Sequence, residues 1–359
     1  MQMKQKISVR QICFIMFAYT AASKLVSYPN GLSLQSGRDL LFPALFGFIV
    51  QGIIIWAVSF LCSRTDKTFF ELLENTFGEV TARIIFGLFA VFFVLCTIIP
   101  LFEQKLYVHA IFYDTIPALD VFIPFFFFSV YACCKGFLNI GRCADVCFPL
   151  FIVSMVFILA MSVPEADFSA FLPVFKTSFK DIAGGAVSNV FRFYEPCWLL
   201  MFMGRFKYKR GDAAKITLSY AGGALFVLLT VAVFYGIYGD LAQARQFPIS
   251  KISLYFPAIE TVGRIDLIAL YVLEVVMLFA LVLNIQMTAY CVRKCTGYKN
   301  TAVISVVLNA GLMVFIIFFD NKISALHMLW SSWMGIAFIV FANVLPVLAW
   351  ALRRKDNAV

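Results

Sequence analysis

Apolar residues in this chain fall in long blocks separated by short charged segments. A helix needs about 20 mainly apolar residues to cross roughly 30 Å of hydrocarbon. On that ruler the pattern predicts ten spans, over residues 9–28, 40–62, 84–112, 121–134, 144–163, 182–203, 216–238, 265–292, 302–319 and 328–352, the third unusually long. The expected fold is an all-α polytopic membrane protein, a single transmembrane domain over 1–359 with about ten transmembrane helices.

The segments between spans carry their own patterns. In 63–81, Phe69, Phe70, Leu72, Leu73 and Phe77 recur at near-helical spacing, which reads as an amphipathic segment on the cytoplasmic surface. Two longer outer stretches, 164–181 and 239–264, mix aromatics with prolines (Phe168, Phe171, Pro173; Phe247, Pro248, Tyr255, Phe256, Pro257). They suit short interfacial helices or caps, or plain loops. After Lys4, Lys6 and Arg10 the apolar run continues to Pro29 without a small-residue cleavage site, so it reads as the first span rather than a cleavable signal.

Composition removes the soluble alternative. Hydrophobic residues make up 62% of the chain, charged residues 14%, and mean hydropathy is +0.90, against roughly 45–50% and about 25% in soluble domains. The net charge of +9 would in a soluble protein raise nucleic acid as a partner, but placement decides otherwise. Of the 29 Lys and Arg residues, 19 fall on the N-terminal side of the spans and 8 on the other, with Lys24 and Arg192 inside apolar segments. That asymmetry places both termini in the cytoplasm and accounts for the charge as a topology signal, leaving no nucleic-acid stripe. Most of the ten cysteines lie in or beside spans as small hydrophobes. Cys291-x-x-x-Cys295 has no histidine near it, and with only His109 and His327 in the chain neither a metal site nor a cofactor is expected.

Charge inside hydrocarbon costs at least about 2.5–3.5 kcal/mol per residue, so Lys24, Arg192, Glu195 and Glu274 are candidate functional groups. They could instead pair merely to neutralise one another, and Arg192 and Glu195, three apart on one helix, could do so locally. The first and sixth spans are also interrupted. Thr20-Ala21-Ala22-Ser23-Lys24 is followed by Ser27 and Pro29, and Gly184-Gly185 by Ser188-Asn189 and then Arg192 to Pro196. Such small, polar, Gly- or Pro-containing breaks at corresponding places in two five-helix halves, about 8–163 and 182–352, are the mark of discontinuous transporter helices. Two ordinary kinked helices are the plainer alternative. A true break frees backbone groups that lipid cannot satisfy, so it must face a protein-lined cavity or a solute. Amide-rich helix ends suit a carboxylate and carbonyl ends suit an ammonium or a cation, and an amino acid has both poles.

Several segments in order then resemble one family: Ile7-Ser8-Val9-Arg10-Gln11, the break Ser23-Lys24-Leu25-Val26-Ser27-Tyr28-Pro29, Asp66-Lys67-Thr68-Phe69-Phe70-Glu71 with Phe77-Gly78, Gly136-Phe137-Leu138-Asn139-Ile140-Gly141-Arg142, and Phe247-Pro248 followed by Gly263-Arg264-Ile265-Asp266. Together they resemble the spore germination permeases, the B subunits of GerA-type nutrient germinant receptors. The resemblance implies the amino acid-polyamine-organocation superfamily, an inverted 5+5 repeat with discontinuous helices 1 and 6, and a pocket between helices 1, 3, 6 and 8. It also implies a spore inner-membrane location, although an ordinary cell membrane suits the sequence equally. The partners it implies are a larger A subunit and a lipoprotein C subunit. The chain departs from many relatives at Ala22-Ser23-Lys24, where they carry a Gly-Thr-Gly-like break.

The resulting expectation is a membrane-embedded subunit that senses a small nutrient, an amino acid, and triggers germination with its partners. The alternatives are an amino acid permease working by alternating access and an ion channel formed with a partner; no nucleotide loop or nucleophile–histidine pairing suggests an enzyme. The ligand-binding candidates are Ala22, Ser23, Lys24 and Leu25 from the first break, Asn189, Arg192, Phe193 and Glu195 from the sixth helix, and Glu274 from the eighth. In this reading Phe193 covers the apolar part of the ligand, and Glu195 or Glu274 holds its ammonium or pairs with Lys24.

Overall fold

A computed structural model describes residues 7–63, 67–112, 115–206, 208, 209, 211–254, 266–319, 340–345 and 348. The helices run in order as α1 Val9–Leu25, α2 Tyr28–Ser36, α3 Leu41–Ser63, α4 Phe69–Phe77, α5 Glu79–Phe112, α6 Ala118–Lys135, α7 Phe137–Ser162, α8 Phe179–Ser188, α9 Glu195–Phe202, α10 Asp212–Tyr238, α11 Pro248–Ser253, α12 Asp266–Thr296 and α13 Thr301–Phe319. Among the described residues, seven helices are long and apolar enough to cross a membrane, and Val9–Leu25 with Tyr28–Asp39, bent by 55°, forms an eighth if taken as one span. This is a multi-pass membrane protein. The expected span 328–352 lies mostly outside the described residues, of which Val340–Val344 form one π-helical turn.

The sixth predicted span is not one rod. It is the 10-residue α8, a 3-10 turn over Val190–Arg192 and the 8-residue α9, each helix only about 12–15 Å long at 1.5 Å per residue. Neither piece crosses a membrane alone. α12 is the central helix, with 72% of its apolar window buried; α6 and α13, at 28%, form the rim. α12 packs against α5, α7, α1 and α13, and α1 lies against α10 and α7.

Local sequence explains why the chain turns where it does. Ser8 caps α1 by accepting from the Gln11 N–H at 3.3 Å while the Ser8 N–H donates to Gln11 Oε1 at 3.1 Å, satisfying backbone donors that a helix start leaves unpaired. Gln11 and Arg10 both reach Asp145 of α7, at 2.7 and 3.0 Å, and Gly141 leaves the room, since a Cβ there would sit 2.9 Å from Gln11 Oε1. Gly136, at φ +76°, makes the tight reversal from α6 to α7. α7 therefore starts at Phe137, earlier than the expected 144, with Asn139 and Arg142 on its first turns.

The 63–81 segment forms α4, capped by a reciprocal Thr68–Glu71 pair at 3.3 and 2.8 Å. Phe69, Phe70, Leu72 and Leu73 are buried, with Phe70 edge-on to Phe86 of α5 at 5.1 Å, whereas Phe77 stays 46% exposed. Its apolar face is thus spent on α5. Thr68→Ala is expected to cost about 1 kcal/mol, read as a lowered thermal midpoint of the detergent-purified chain; an unchanged midpoint would show that α4 contributes little to the fold.

The stretch after α7 contains the 3-10 turns Val163–Glu165 and Phe168–Phe171, tied down by Asp39, which accepts from the Phe175 and Thr177 N–H groups at 2.7 and 2.8 Å. The stretch after α10 forms a 3-10 segment, Gly239–Ala244, and α11. Asn30 of α2 donates to the Gln243 carbonyl at 2.7 Å, and Phe247 meets Tyr107 of α5 at 5.6 Å. Lys105 of α5 is 1% exposed.

Candidate functional site at two helix breaks

Both interrupted helices resume in the same way. α2 begins Tyr28-Pro29 and α9 begins Glu195-Pro196, and a proline in the first turn loses nothing because that N–H has no intrahelical partner. Lys24 sits in the last turn of α1 and Glu195 in the first turn of α9, each at the helix end whose dipole favours its charge. The two side chains, both 0% exposed, form a salt bridge that joins the two breaks. Phe193 and Phe48 enclose the ammonium, their ring centroids 4.8 and 5.9 Å from Nζ. Phe193 packs where Gly47 of α3 has no side chain, and Gln51 of α3 donates to the Phe193 carbonyl at 2.8 Å, satisfying a backbone group freed by the break.

The local pairing of Arg192 with Glu195 does not form. Arg192 lies in the 3-10 turn and Glu195 starts a new helix, so the three-residue separation does not place them on one helical face. Arg192 instead reaches Glu103 of α5 at 2.9 Å and Ser27 Oγ at 2.6 Å, and Ser27 donates to Glu103 at 2.5 Å. Glu274 accepts from Gln104, the next residue along α5. Two carboxylate oxygens, Glu195 Oε2 and Glu274 Oε1, are buried with no hydrogen-bond partner among the described residues.

Between α1, α5, the second break and α12 lies a small cavity lined by Tyr19, Ala22, Ser23, Glu103, Gln104, Tyr194 and Asn284, with Val26, Pro100 and Met277 completing much of its wall. Its volume is about 20 Å³, room for about one water. A second space of about 10 Å³ adjoins it, sharing Ser23, Pro100 and Tyr194 and adding Arg192. Tyr19 donates to Asn284 Oδ1 at 2.7 Å, and Asn284 Nδ2 donates to the Tyr194 hydroxyl at 3.0 Å. The Tyr194 hydroxyl in turn donates to the Cys96 carbonyl at 3.4 Å. Proline at 100 cannot supply the N–H that would normally bond that carbonyl, so a side chain from the second break takes its place.

Of the nine residues expected to bind ligand, Ala22, Ser23 and Arg192 line these spaces. Lys24, Phe193 and Glu195 form the adjoining buried pair and its aromatic cover, so Phe193 faces Lys24 rather than the cavity. Glu274 stands behind Gln104. Leu25 is core, 0% exposed. Asn189 bonds the Gly185 carbonyl at 2.9 Å and turns toward Gly31 of α2. Sequence reasoning missed Tyr19, Ser27, Glu103, Gln104, Tyr194 and Asn284. The available signal was the polar run Glu103-Gln104-Lys105 three residues after Pro100, inside the predicted span 84–112.

The fold is shared with a solved structure. MhsT in complex with L-phenylalanine aligns with a TM-score of 0.62 at 13% identity, over 97% of this chain and 89% of that one. A search among curated proteins finds no match. The family model described as "Spore germination protein" matches residues 6–324, which takes in both breaks, the ion pairs and the cavity. The chain therefore belongs to the spore germination protein family, the spore permeases.

Proposed function

We propose that this chain is the nutrient-sensing subunit of a spore germinant receptor, with a zwitterionic amino acid as ligand, held where α1, α5, the second break and α12 meet. The observation that carries the reading is the Arg192–Glu103 pair at 2.9 Å beside the cavity. A zwitterion entering there exchanges one ion pair for two: its ammonium takes Glu103 and its carboxylate takes Arg192. Ser23 and Asn284 supply hydrogen bonds, and Met277 with Leu281 faces the side chain of the ligand. The family membership supports the germination role, and the L-phenylalanine bound to a structure of the same fold supports the ligand class.

The present cavity is far below the on the order of 300 Å³ of a small-ligand pocket. Binding must therefore favour a wider arrangement of the bundle, and a ligand that separates Glu103 from Arg192 has the differential affinity such a shift requires. In this reading the widening is passed to an A subunit and a lipoprotein C subunit in the spore inner membrane, with both termini cytoplasmic.

Calorimetric titration of the detergent-purified chain with single amino acids is the test. At least one is expected to bind saturably, and Glu103→Gln and Arg192→Gln are each expected to weaken it by about tenfold or more, one lost charge-assisted contact being worth roughly 1.5–3 kcal/mol. Binding by both variants at the affinity of the unaltered chain, or by no amino acid at all, would overturn the proposal. Uptake of the same amino acid into vesicles holding the chain alone would favour the permease reading over the sensor.

A further inference from the structure

A second and much larger space lies away from the helix breaks. A cleft of about 630 Å³ opens between α6, α7 and α12. Its walls are apolar, built from Phe128 and Ala132 of α6, Ile140 and Cys147 of α7, and Leu278 and Phe279 of α12. Two cations line one end of it. Lys135 is the last residue of α6, and Arg142 lies in the second turn of α7 just past the Gly136 reversal. Both are exposed, and neither forms an ion pair among the described residues. Tyr131, 62% exposed, stacks beneath Lys135 with its ring centroid 5.0 Å from Nζ.

This arrangement has a direction. The α6–α7 reversal is where the chain leaves the hydrocarbon, so its cations stand at headgroup level, and an amphipathic tyrosine beside them is at home at the same depth. Val275 to Val282 come from the middle of α12, so the apolar walls extend inward from that level. An apolar cleft open to the bilayer is filled by hydrocarbon, and a basic mouth at its headgroup end selects a negatively charged headgroup.

We propose that this cleft is a binding site for an anionic phospholipid. One acyl chain lies against Phe128, Leu278 and Phe279, and the headgroup phosphate sits between Lys135 and Arg142. A transmembrane helix from a partner subunit would fill the same walls, but it would need an acidic side chain at the single level where both cations stand; a phospholipid carries its charge there by construction. The inference does not depend on the nutrient reading, since it uses none of the residues at the breaks.

Native mass spectrometry of the full-length chain, exchanged from detergent into mixed micelles of phosphatidylglycerol and phosphatidylcholine, tests it. A Lys or Arg near an anionic lipid surface contributes about fivefold in affinity, so phosphatidylglycerol is expected to be retained over phosphatidylcholine by about 25-fold. Lys135→Gln with Arg142→Gln is expected to erase that preference, lowering phosphatidylglycerol retention more than phosphatidylcholine retention, with the thermal midpoint unchanged. Ala132→Phe, which fills the cleft from the α6 wall, is expected to lower retention of both lipids. Equal retention of the two lipids by the unaltered chain, or a preference that survives loss of both cations, overturns the proposal. So does cross-linking of Cys143, on the cleft wall, to a helix of a co-purified subunit in place of lipid.

Discussion

Lys24→Met is expected to lower the stability of the folded chain by about 3–5 kcal/mol, the usual consequence of leaving one member of a buried ion pair without its partner. Glu195 is 0% exposed, and its Oε2 already lacks a hydrogen bond among the described residues. Removing the ammonium strands the rest of the carboxylate beneath Phe193 and Phe48. The double change Lys24→Met with Glu195→Met behaves differently, because replacing both charges by apolar side chains removes the desolvation cost along with the attraction. It is expected to recover most of the lost stability but not the germination response, since the ionic tie between the two breaks is gone. Thermal midpoints of the purified variants, with nutrient-triggered germination of spores carrying them, separate the two effects. A Lys24→Met chain as stable as the parent would show that the pair does not hold the breaks together.

Gly223→Leu is expected to prevent accumulation of folded protein. Where α10 crosses α1, even a Cβ on Gly223 would lie 2.7 Å from the Phe17 backbone oxygen and 3.1 Å from Thr20 Cβ, and neither atom can be moved without displacing α1. Helices in membranes associate by close approach at small residues, and overpacking such a contact by one methyl already costs about 1–3 kcal/mol. The neighbouring Gly222 supplies the control. A Cβ there meets only the ring edge of Phe17, at 2.8 Å, a side chain that, though packed against Phe148, Phe151 and Phe226, can shift without displacing the α1 backbone. Gly222→Ala is therefore expected to be tolerated much better than Gly223→Ala, measured as folded yield and thermal midpoint in detergent. Equal tolerance at the two positions would mean that α1 is not pinned to α10 by backbone contact.

Much of this architecture can be read from residue order because lipid imposes few options. Long apolar blocks become spans, and Pro29 and Pro196 with the small and polar residues around them mark the two interruptions. Lys24 stood out because a cation in hydrocarbon needs a reason. The site was less legible where its chemistry did not depend on local spacing. Arg192 and Glu195 invite pairing only if 190–195 is helical, and it is not. Glu103 and Gln104 lie on a 34-residue helix, and nothing in the local order of letters in the predicted span 84–112 says that they form a buried wall of the cavity. Tyr19, Tyr194 and Asn284 are ordinary residues for a crowded core. Only their meeting from three elements makes them a chain of hydrogen bonds.

The proline at position 100 has a mechanical consequence. Because α5 lacks the backbone bond from that residue to Cys96, the helix is least stiff there, and the Tyr194 hydroxyl supplies the missing contact from outside it. A bend of the portion carrying Glu103 and Gln104 about this point would give up a side-chain contact where a regular helix would give up a backbone bond. With the fulcrum in the pocket wall, a displacement of Glu103 by a fraction of a helical turn would become a swing of the C-terminal end of α5.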